Sequence, residues 1–421
     1  MLESRKGKQI SWCISAIAGL AGILAWSCPA SAAFTFTKIV DTHTPIPGGT
    51  GNFSFNWSDT PAVSGAHVVF DTGDETIWAA RINGNQLRRV ITPGTTIPPG
   101  NLGTFQQYYG DYVQLQGNTV VLVGDNCGGC GSGVGIYTKL LGSDSINSLV
   151  DTNTFLPGSS TDKFSGFPPD FDETDTTVVF QNRQNVWAVP LAGGPVNRVA
   201  TDQDNLYSPP VPFCCIFNQP SIKGSRVLMR GGNVFGRAAV QRVDVSGDPL
   251  SFSFVATGDM HPPGTPRGYR FDNFDFARPV YDQGLIFYGD GTNPKKPKPY
   301  IGGIYIRGGG FRNLVDSTMP VPGGTGNFQF AWYGTLSPIS AGKGIMVFGN
   351  IDNAGSPALF AMPEAGGPIT RIIGRGDPIG GFIVQDLGLR RASFDGTTLT
   401  FSVSYAGVVG NGIYATEVVL P

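Results

Sequence analysis

The sequence has little charge of either sign and few residues suited to helix interiors. Charged residues make up 14%, against about 25% in a typical soluble domain. The 29 basic and 31 acidic residues nearly balance, without a long basic run, so nucleic acid is not expected as a partner. The chain instead contains 60 glycines and 32 prolines, which argues against a mainly helical protein. Its 40% hydrophobic content favours a compact fold over disorder.

Residues 1 to 32 are typical of a signal peptide. Three basic residues precede an apolar run from Ile10 to Trp26, and Ala30-Ser31-Ala32 follows. Small residues at these positions fit cleavage after Ala32. An uncleaved anchor and a lipoprotein cysteine at Cys28 are the alternatives. No second long apolar run follows, so we expect no membrane span after cleavage and a secreted or periplasmic protein.

Four cysteines follow the signal segment. Cys127 and Cys130 lie in a glycine-rich stretch, and Cys214 and Cys215 are adjacent. In an oxidising compartment this spacing predicts a local disulfide between Cys127 and Cys130. A redox Cys-x-x-Cys motif and half of a zinc site are the alternatives, and the state of Cys214 and Cys215 stays open.

Internal repeats dominate the rest of the chain. The segment PGGTGNFSFNW at 47–57 recurs as PGGTGNFQFAW at 322–332. A short apolar run preceded by a turn occurs seven times, with copies 49 to 61 positions apart. That period fits one four-stranded propeller blade. The seven runs are Val68-Val69-Phe70, Val120-Val121-Leu122, Val178-Val179-Phe180, Val227-Leu228-Met229, Leu285-Ile286-Phe287, Met346-Val347-Phe348 and Leu399-Thr400-Phe401.

The count of strands predicts how the ring closes. A fourth strand follows in six units, but the seventh stops after its third strand, near Leu420. Phe34 to Val40 resembles the missing strand. We therefore predict that residues 33–421 form one all-β domain, a seven-bladed β-propeller of four-stranded antiparallel blades. Its N-terminal strand, 34–40, completes the last blade and leaves no open sheet edge.

Aromatic residues alternate in the repeated segment. Phe53, Phe55 and Trp57 have a period of two, which predicts one face of the first strand of a blade. A sugar-stacking platform is one interpretation. Packing of one blade on the next is favoured, because a blade with neighbours on both sides needs large apolar side chains.

One pattern occurs twice, from Val40 to Phe53 and from Val315 to Phe328. Together with the apolar triplets and the Gly-Ile-Tyr sequences that follow along the chain, this pattern resembles an uncharacterised family of secreted bacterial tandem-repeat proteins. The resemblance implies a propeller and export. Members often carry a C-terminal sorting anchor, which this chain lacks, so surface tethering is not expected. The family implies no activity and no catalytic residues.

Alternation of strand direction predicts where binding residues lie. The loops between blades and the loops joining strands two and three must emerge on the same rim, and binding residues are expected on such loops. The candidate ligand-binding residues are Asp41, His43, Asp71, Asp74, Asp202, Asp204, Asp290 and Asp352. Oxygen ligands at Asp71, Asp74 and Glu75 suit Ca²⁺, although turn formation is the favoured explanation of acidic residues at such positions.

Sequence motifs for catalysis are missing. Neither His-Glu-x-x-His nor Gly-x-Ser-x-Gly occurs, and only three histidines are present. We therefore predict an exported binding module that requires no cofactor, with Ca²⁺ as a candidate ion, and the sequence leaves open whether it also catalyses a reaction. Its partner is an unidentified extracellular ligand, a polysaccharide or a protein. The alternatives are a secreted carbohydrate-active hydrolase or lyase that uses carboxylates at the channel mouth, and a structural component of an extracellular matrix.

Overall fold

The computed structural model of the protein describes residues 34–56, 60–99, 102–106, 113–126, 134–167, 171–183, 185–201, 218–232, 238–246, 253–274, 280–281, 284–293, 295–330, 339–352 and 354–420. Regular structure in these residues is almost entirely β, with a 3₁₀ turn at Arg391–Ser393. No helix in the described residues has the length and apolar character that a membrane span requires.

The strands form seven antiparallel sheets, one for each blade. The chain begins with β1 (Thr37–Asp41). Blade 1 contains β2 (Ala62–Ser64), β3 (His67–Asp71), β4 (Ile77–Arg81) and β5 (Arg88–Ile91). Blade 2 contains β6 (Val113–Gln116), β7 (Thr119–Gly124), β8 (Gly135–Leu140) and β9 (Ile146–Asp151). Blade 3 contains β10 (Phe171–Glu173), β11 (Thr177–Asn182), β12 (Asn185–Pro190) and β13 (Asn197–Ala200).

The later blades follow the same plan. Blade 4 contains β14 (Asn218–Lys223), β15 (Arg226–Gly232), β16 (Ala238–Asp244) and β17 (Ser253–Thr257). Blade 5 contains β18 (Arg270–Asn273), the short β19 (Val280–Tyr281), β20 (Leu285–Asn293), β21 (Lys296–Arg307) and β22 (Phe311–Asp316). Blade 6 contains β23 (Ile339–Gly342), β24 (Ile345–Ile351), β25 (Pro357–Pro363) and β26 (Thr370–Gly374). Blade 7 contains β27 (Pro378–Ile379), β28 (Phe382–Gly388), β29 (Thr398–Tyr405) and β30 (Asn411–Glu417).

The predicted apolar runs lie on the second long strand of each blade and are buried. Val68, Val69 and Phe70 on β3 have no appreciable exposure, whichever face of the sheet they occupy. Each blade is covered on both faces by its neighbours, so both faces of a central strand must be apolar. This explains why the runs are continuous and do not alternate with polar residues.

The ring closes as predicted, by exchange of a strand between the chain ends. β1 pairs antiparallel with β30, from Thr37 opposite Ala415 to Asp41 opposite Gly412. The paired strand begins later than predicted, at Thr37 rather than Phe34. The ring of Phe36 nevertheless packs on Phe401, at 5.8 Å between centroids. The seven-bladed β-propeller is therefore confirmed, with the N-terminal strand in its last blade.

The repeated PGGTGNF segment forms a hairpin-like loop between blades. The backbone N–H of Ile46 donates to the carbonyl of Gly51, and that of Phe53 donates to Thr44, both at 3.1 Å. The second copy has the same bonds, from Val321 to Gly326 and from Phe328 to Met319. The prediction that Phe53 and Phe55 lie on the first strand is wrong: β2 begins only at Ala62, because the loop hairpin uses the preceding residues.

The first phenylalanine of each such loop packs against the third strand of the blade that follows. Phe53, 3% exposed, meets the edge of Trp78 on β4 at 4.9 Å and 72°. Edge-to-face geometry of this kind is favourable for aromatic pairs. The packing interpretation of Phe53 is therefore confirmed. The equivalent pairs are Phe105 with Tyr137, Phe164 with Trp187, Phe271 with Tyr305 and Phe328 with Phe360, at 5.0 to 5.3 Å.

The glycine of the Gly-Ile-Tyr sequence is required by a close approach. A Cβ at Gly135 would lie 2.7 Å from the Tyr137 hydroxyl and 2.9 Å from Cβ of Asp151. Gly303 and Gly412 have equally close neighbours in blades 5 and 7. The third strand can therefore pass the aspartate that ends a fourth strand only where it has no side chain.

Candidate functional site

The inter-blade loops and the loops joining strands two and three share one face of the ring, as predicted. The N–H of Gly73, between β3 and β4, donates to the carbonyl of Ser54 in the preceding inter-blade loop at 2.8 Å. In blade 6 the backbone N–H of Gln329, in the inter-blade loop, donates at 3.0 Å to the side chain of Asn350, near the end of β24. This surface is called the loop face below.

Asp41 on the loop face is a turn residue. Its carboxylate accepts from the N–H of His43 at 3.1 Å, from the Thr44 hydroxyl at 2.7 Å and from Lys38 Nζ at 2.9 Å. Burial raises the pKa of Asp41, but the hydrogen bonds from Thr44 and Lys38 outweigh it and hold the pKa below its usual range. The His43 side chain is 56% exposed and stacks on Phe382 at 5.2 Å.

Asp352 and Asp74 also serve turns. Asp352 accepts from the N–H groups of Ala354 and Ser356, both at 2.9 Å, and from the Thr325 hydroxyl at 3.0 Å. Asp74 accepts from the Thr72 hydroxyl.

The other loop-face candidates are not brought into one cluster. Asp71 ends β3 and is buried, Glu75 has a φ of +59°, and Asp290 contacts the Tyr288 hydroxyl. Within the described ranges, no group of three or more His, Cys, Asp or Glu side chains could hold a metal ion. Asp202, Asp204, Cys127 and Cys130 lie outside the described residues.

A cavity lies on the opposite face, which carries the turns between the first two strands of each blade and is called the hairpin face. Its volume is about 500 Å³. Its walls come from the first strands of blades 2, 3, 4 and 6 and from the β28 to β29 connection of blade 7. Innermost strands of so many blades meet only at the ring axis, so this space is the mouth of the central channel. It is called the channel-mouth cavity.

An ion pair crosses the channel mouth. Arg391, in the 3₁₀ turn of blade 7, contacts the carboxylate of Asp172 on β10 of blade 3 through Nη2. The Arg391 side chain is 13% exposed and that of Asp172 is 5% exposed. The other Asp172 oxygen accepts from the N–H of Ile222 on β14 at 2.7 Å. A second cavity, of about 270 Å³, shares Asp172 and Arg391 as wall residues, so the pair divides the channel mouth into two lobes.

Arg391 keeps its charge at neutral pH. Burial lowers the pKa of its guanidinium to about 9, and the adjacent Asp172 carboxylate favours the charged form. Nη1 of Arg391 is buried and has no hydrogen-bond partner among the described residues.

The connection that carries Arg391 is held by neighbouring blades. The Ser340 hydroxyl of β23 donates to the Arg391 carbonyl. The Ser393 hydroxyl donates to the carbonyl of Pro61 at 2.8 Å, and Asp395 accepts from the N–H of Gly65 at 2.9 Å. The two neighbouring blades, 6 and 1, therefore fix this segment on both sides.

Charged side chains of both signs line the channel-mouth cavity. The acidic ones are Asp172, Glu173, Asp175 and Asp395, and the basic ones are Lys223, Lys343 and Arg391. Asp395 accepts two further bonds from the N–H groups of Thr397 and Thr398, at 2.9 and 2.8 Å. Lys343 Nζ donates to the Thr397 hydroxyl at 2.6 Å.

Sequence reasoning missed this cavity because it followed loop length between blades. A usable signal was present in the connection from β28 to β29, which spans residues 389–397, whereas two residues join β2 to β3, β6 to β7 and β23 to β24. That connection also contains Arg390-Arg391, one of the two Arg-Arg pairs in the sequence.

Solved structures with the same fold have low sequence identity to this chain. An oligogalacturonate lyase from Vibrio parahaemolyticus is 9% identical at a TM-score of 0.50, with 92% of this chain and 97% of that chain covered. An oligogalacturonate lyase in complex with manganese is 12% identical at 0.49, with the same coverage. The β-propeller domain of the Trilobed protease from Pyrococcus furiosus is 10% identical at 0.46, covering 87% and 96%. No protein-family model and no curated protein matches. These likenesses show the propeller fold alone.

Proposed function

We propose that this protein is an exported binding module that takes a small polar ligand, of the size of one or two sugar rings, in the channel-mouth cavity. The observation that carries the proposal is the cavity itself, about 500 Å³ in volume and lined by charged side chains from blades 3, 4, 6 and 7. Ligand sites of small molecules typically have volumes of about 300 to 1,000 Å³.

Preorganisation supports binding at this place. The walls are first strands held in blades, and the Arg391 segment is tied to blades 1 and 6 by the Ser393 and Ser340 hydroxyls. Fixed side chains lose little conformational entropy when a ligand arrives. The proposal therefore places the site on the hairpin face, whereas the sequence analysis predicts it on the loop face.

A glycan hydrolase or lyase is less well supported. Such an enzyme would use carboxylates of the channel mouth as acid, base or nucleophile. Asp172 is already engaged by Arg391 and the N–H of Ile222, and Asp395 accepts from three backbone N–H groups. Asp172 and Asp395 are thus engaged by protein donors, which leaves Glu173 and Asp175 as the carboxylates that such an enzyme would have to use.

A blocked cavity tests the proposal. Gln116 lines both lobes, so Gln116→Trp fills the channel mouth. Thr50→Trp, on an exposed residue of the loop face, is the matched control. Thermal unfolding is measured with neutral, acidic and amino sugars and their short oligomers at 10 mM. A ligand with a Kd of about 1 mM stabilises the protein by about 1.4 kcal/mol.

The proposal predicts at least one stabilising sugar whose effect disappears in Gln116→Trp and persists in Thr50→Trp. Loss of the effect in Thr50→Trp alone would place the ligand on the loop face. Absence of any stabilising compound, together with self-association in light scattering, would favour the matrix component.

A further inference from the structure

Lys343 occupies a backbone conformation that L side chains rarely adopt. It is the first residue of the two-residue turn between β23 and β24, with a φ of +53°. The first residue of the equivalent turn in blades 1, 2 and 4 is Gly65, Gly117 or Gly224, with φ between +56° and +59°. Glycine adopts this region without steric cost. A lysine there is a strained choice, and strained residues that persist in folds cluster at functional sites.

The strained lysine is placed on the wall of the channel-mouth cavity. Its stem packs against Gly396, where a Cβ would lie 2.8 Å from Lys343 Cγ. Its ammonium donates to the neutral hydroxyl of Thr397. Among the described residues no carboxylate forms an ion pair with it. The turn therefore presents an exposed ammonium on the cavity wall, and no described carboxylate is paired with it.

Arg391 supplies a second cation to the same cavity. Its segment follows β28 and is bonded to β23 through Ser340, which is the strand that leads into Lys343. Asp172 engages Nη2 of Arg391 only. Asp172, which is buried, and Asp395, which is half-buried, both accept hydrogen bonds from backbone N–H groups. Lys343 and Arg391 therefore keep N–H groups that no described protein acceptor uses.

We propose that Lys343 and Arg391 bind a carboxylate group of the ligand in the channel-mouth cavity. This inference rests on the proposed function and specifies its ligand class. The lining has four acidic and three basic side chains, so a polyanion would be repelled. A ligand with one carboxylate and otherwise uncharged polar groups suits this lining.

The test compares glucuronate, glucose and glucosamine by isothermal titration calorimetry. These sugars differ in one charged group each. The variants are Lys343→Asn, which removes the charge with a residue that tolerates positive φ, and Lys343→Arg, which keeps it. Lys163→Asn, an exposed lysine of the loop face, is the matched control. Lys343→Gly tests whether the positive φ of Lys343 is strained. Relief of that strain should raise the midpoint of thermal unfolding by about 1 to 2 degrees.

The expected result is that glucuronate binds at least about 10-fold more tightly than glucose and that Lys343→Asn abolishes this preference. Lys343→Arg and Lys163→Asn should retain it. Equal affinity of Lys343→Asn and the unchanged protein for glucuronate would overturn the carboxylate assignment. If glucose or glucosamine binds best and Gln116→Trp blocks it, the proposed function stands and the carboxylate assignment fails. If none of the three binds, the carboxylate assignment fails, and the proposed function stands or falls on the wider set of sugars and oligomers tested against Gln116→Trp.

Discussion

The guanidinium of Arg391 in blade 7 is paired with the carboxylate of Asp172 in blade 3, on the far side of the central channel. Both side chains are largely buried, and the Asp172 carboxylate also receives the N–H of Ile222 in blade 4. Three blades therefore meet in one polar contact at the ring axis. Both residues of the pair line the two lobes of the channel mouth.

Removal of one partner of this pair should destabilise the protein strongly. Asp172→Asn leaves Arg391 buried without its counter-charge, although the new amide can still accept from Ile222. We expect the free energy of unfolding to fall by about 3 to 5 kcal/mol, measured by denaturant titration. Asp175→Asn, in the exposed turn that follows β10, should change it by less than about 0.5 kcal/mol. Equal changes in the free energy of unfolding for the two variants would mean that the ion pair between Arg391 and Asp172 contributes nothing to stability.

The edge-to-face pair between Phe53 and Trp78 should carry energy beyond simple burial. Phe53→Leu retains most of the apolar volume but removes one ring of the pair. We expect a loss of about 1 to 2 kcal/mol in the free energy of unfolding. Phe155→Leu is the control, since Phe155 is exposed on the loop face. A Phe53→Leu protein as stable as the control variant would argue against the packing account of the repeats.

Removal of the hydroxyl from two buried tyrosines should change the stability of the protein in opposite directions. The Tyr137 hydroxyl is buried without a hydrogen-bond partner in the described part of the chain, and burial raises its pKa. Tyr137→Phe should therefore stabilise the protein by about 1 kcal/mol. The hydroxyls of Tyr405 and Tyr414 bond each other at 2.8 Å, so Tyr405→Phe should destabilise it by a similar amount. Thermal unfolding of the two variants, measured side by side, gives the direction of each change in stability. Destabilisation by Tyr137→Phe would show that the Tyr137 hydroxyl has a hydrogen-bond partner.

The turn aspartates should make stability fall in acid. Burial raises the pKa of Asp352, but the N–H groups of Ser356 and Thr325 outweigh it and lower the pKa below its usual value. A group whose pKa is lower in the folded state stabilises the fold above its unfolded pKa of 3.8 and loses that contribution as the pH falls through the folded value. Between pH 5 and pH 2, Asp352→Asn should lose less stability than the unchanged protein. Parallel pH curves for both would contradict this linkage.

The sequence predicted the fold well because repeats constrain it many times over. Apolar runs at a regular spacing marked the second long strand of every blade, and the missing last strand identified β1 as its replacement. Register inside the repeat was harder to predict. Phe53 and Phe55 alternate as strand residues do, yet the hydrogen bonds of a loop hairpin, from Ile46 to Gly51 and from Phe53 to Thr44, place them before the blade.

The candidate site could not be predicted in the same way. It depends on side chains from blades that are far apart in sequence, such as Asp172 and Arg391, which only ring closure brings together. The loop-face aspartates looked equally suited to binding, but Asp41 and Asp352 use their oxygens to hold turns. Composition alone does not distinguish a turn aspartate from a ligand.

Hydrogen exchange with mass spectrometry tests the central claim most directly, namely that the ligand enters at the hairpin face. Exchange is measured in the full chain with and without saturating glucuronate. The account predicts slower exchange of the amides at residues 172–175 and 341–344, with residues 41–52 unchanged. Slower exchange at 41–52 with no change at the hairpin face would contradict it and return the site to the loop face.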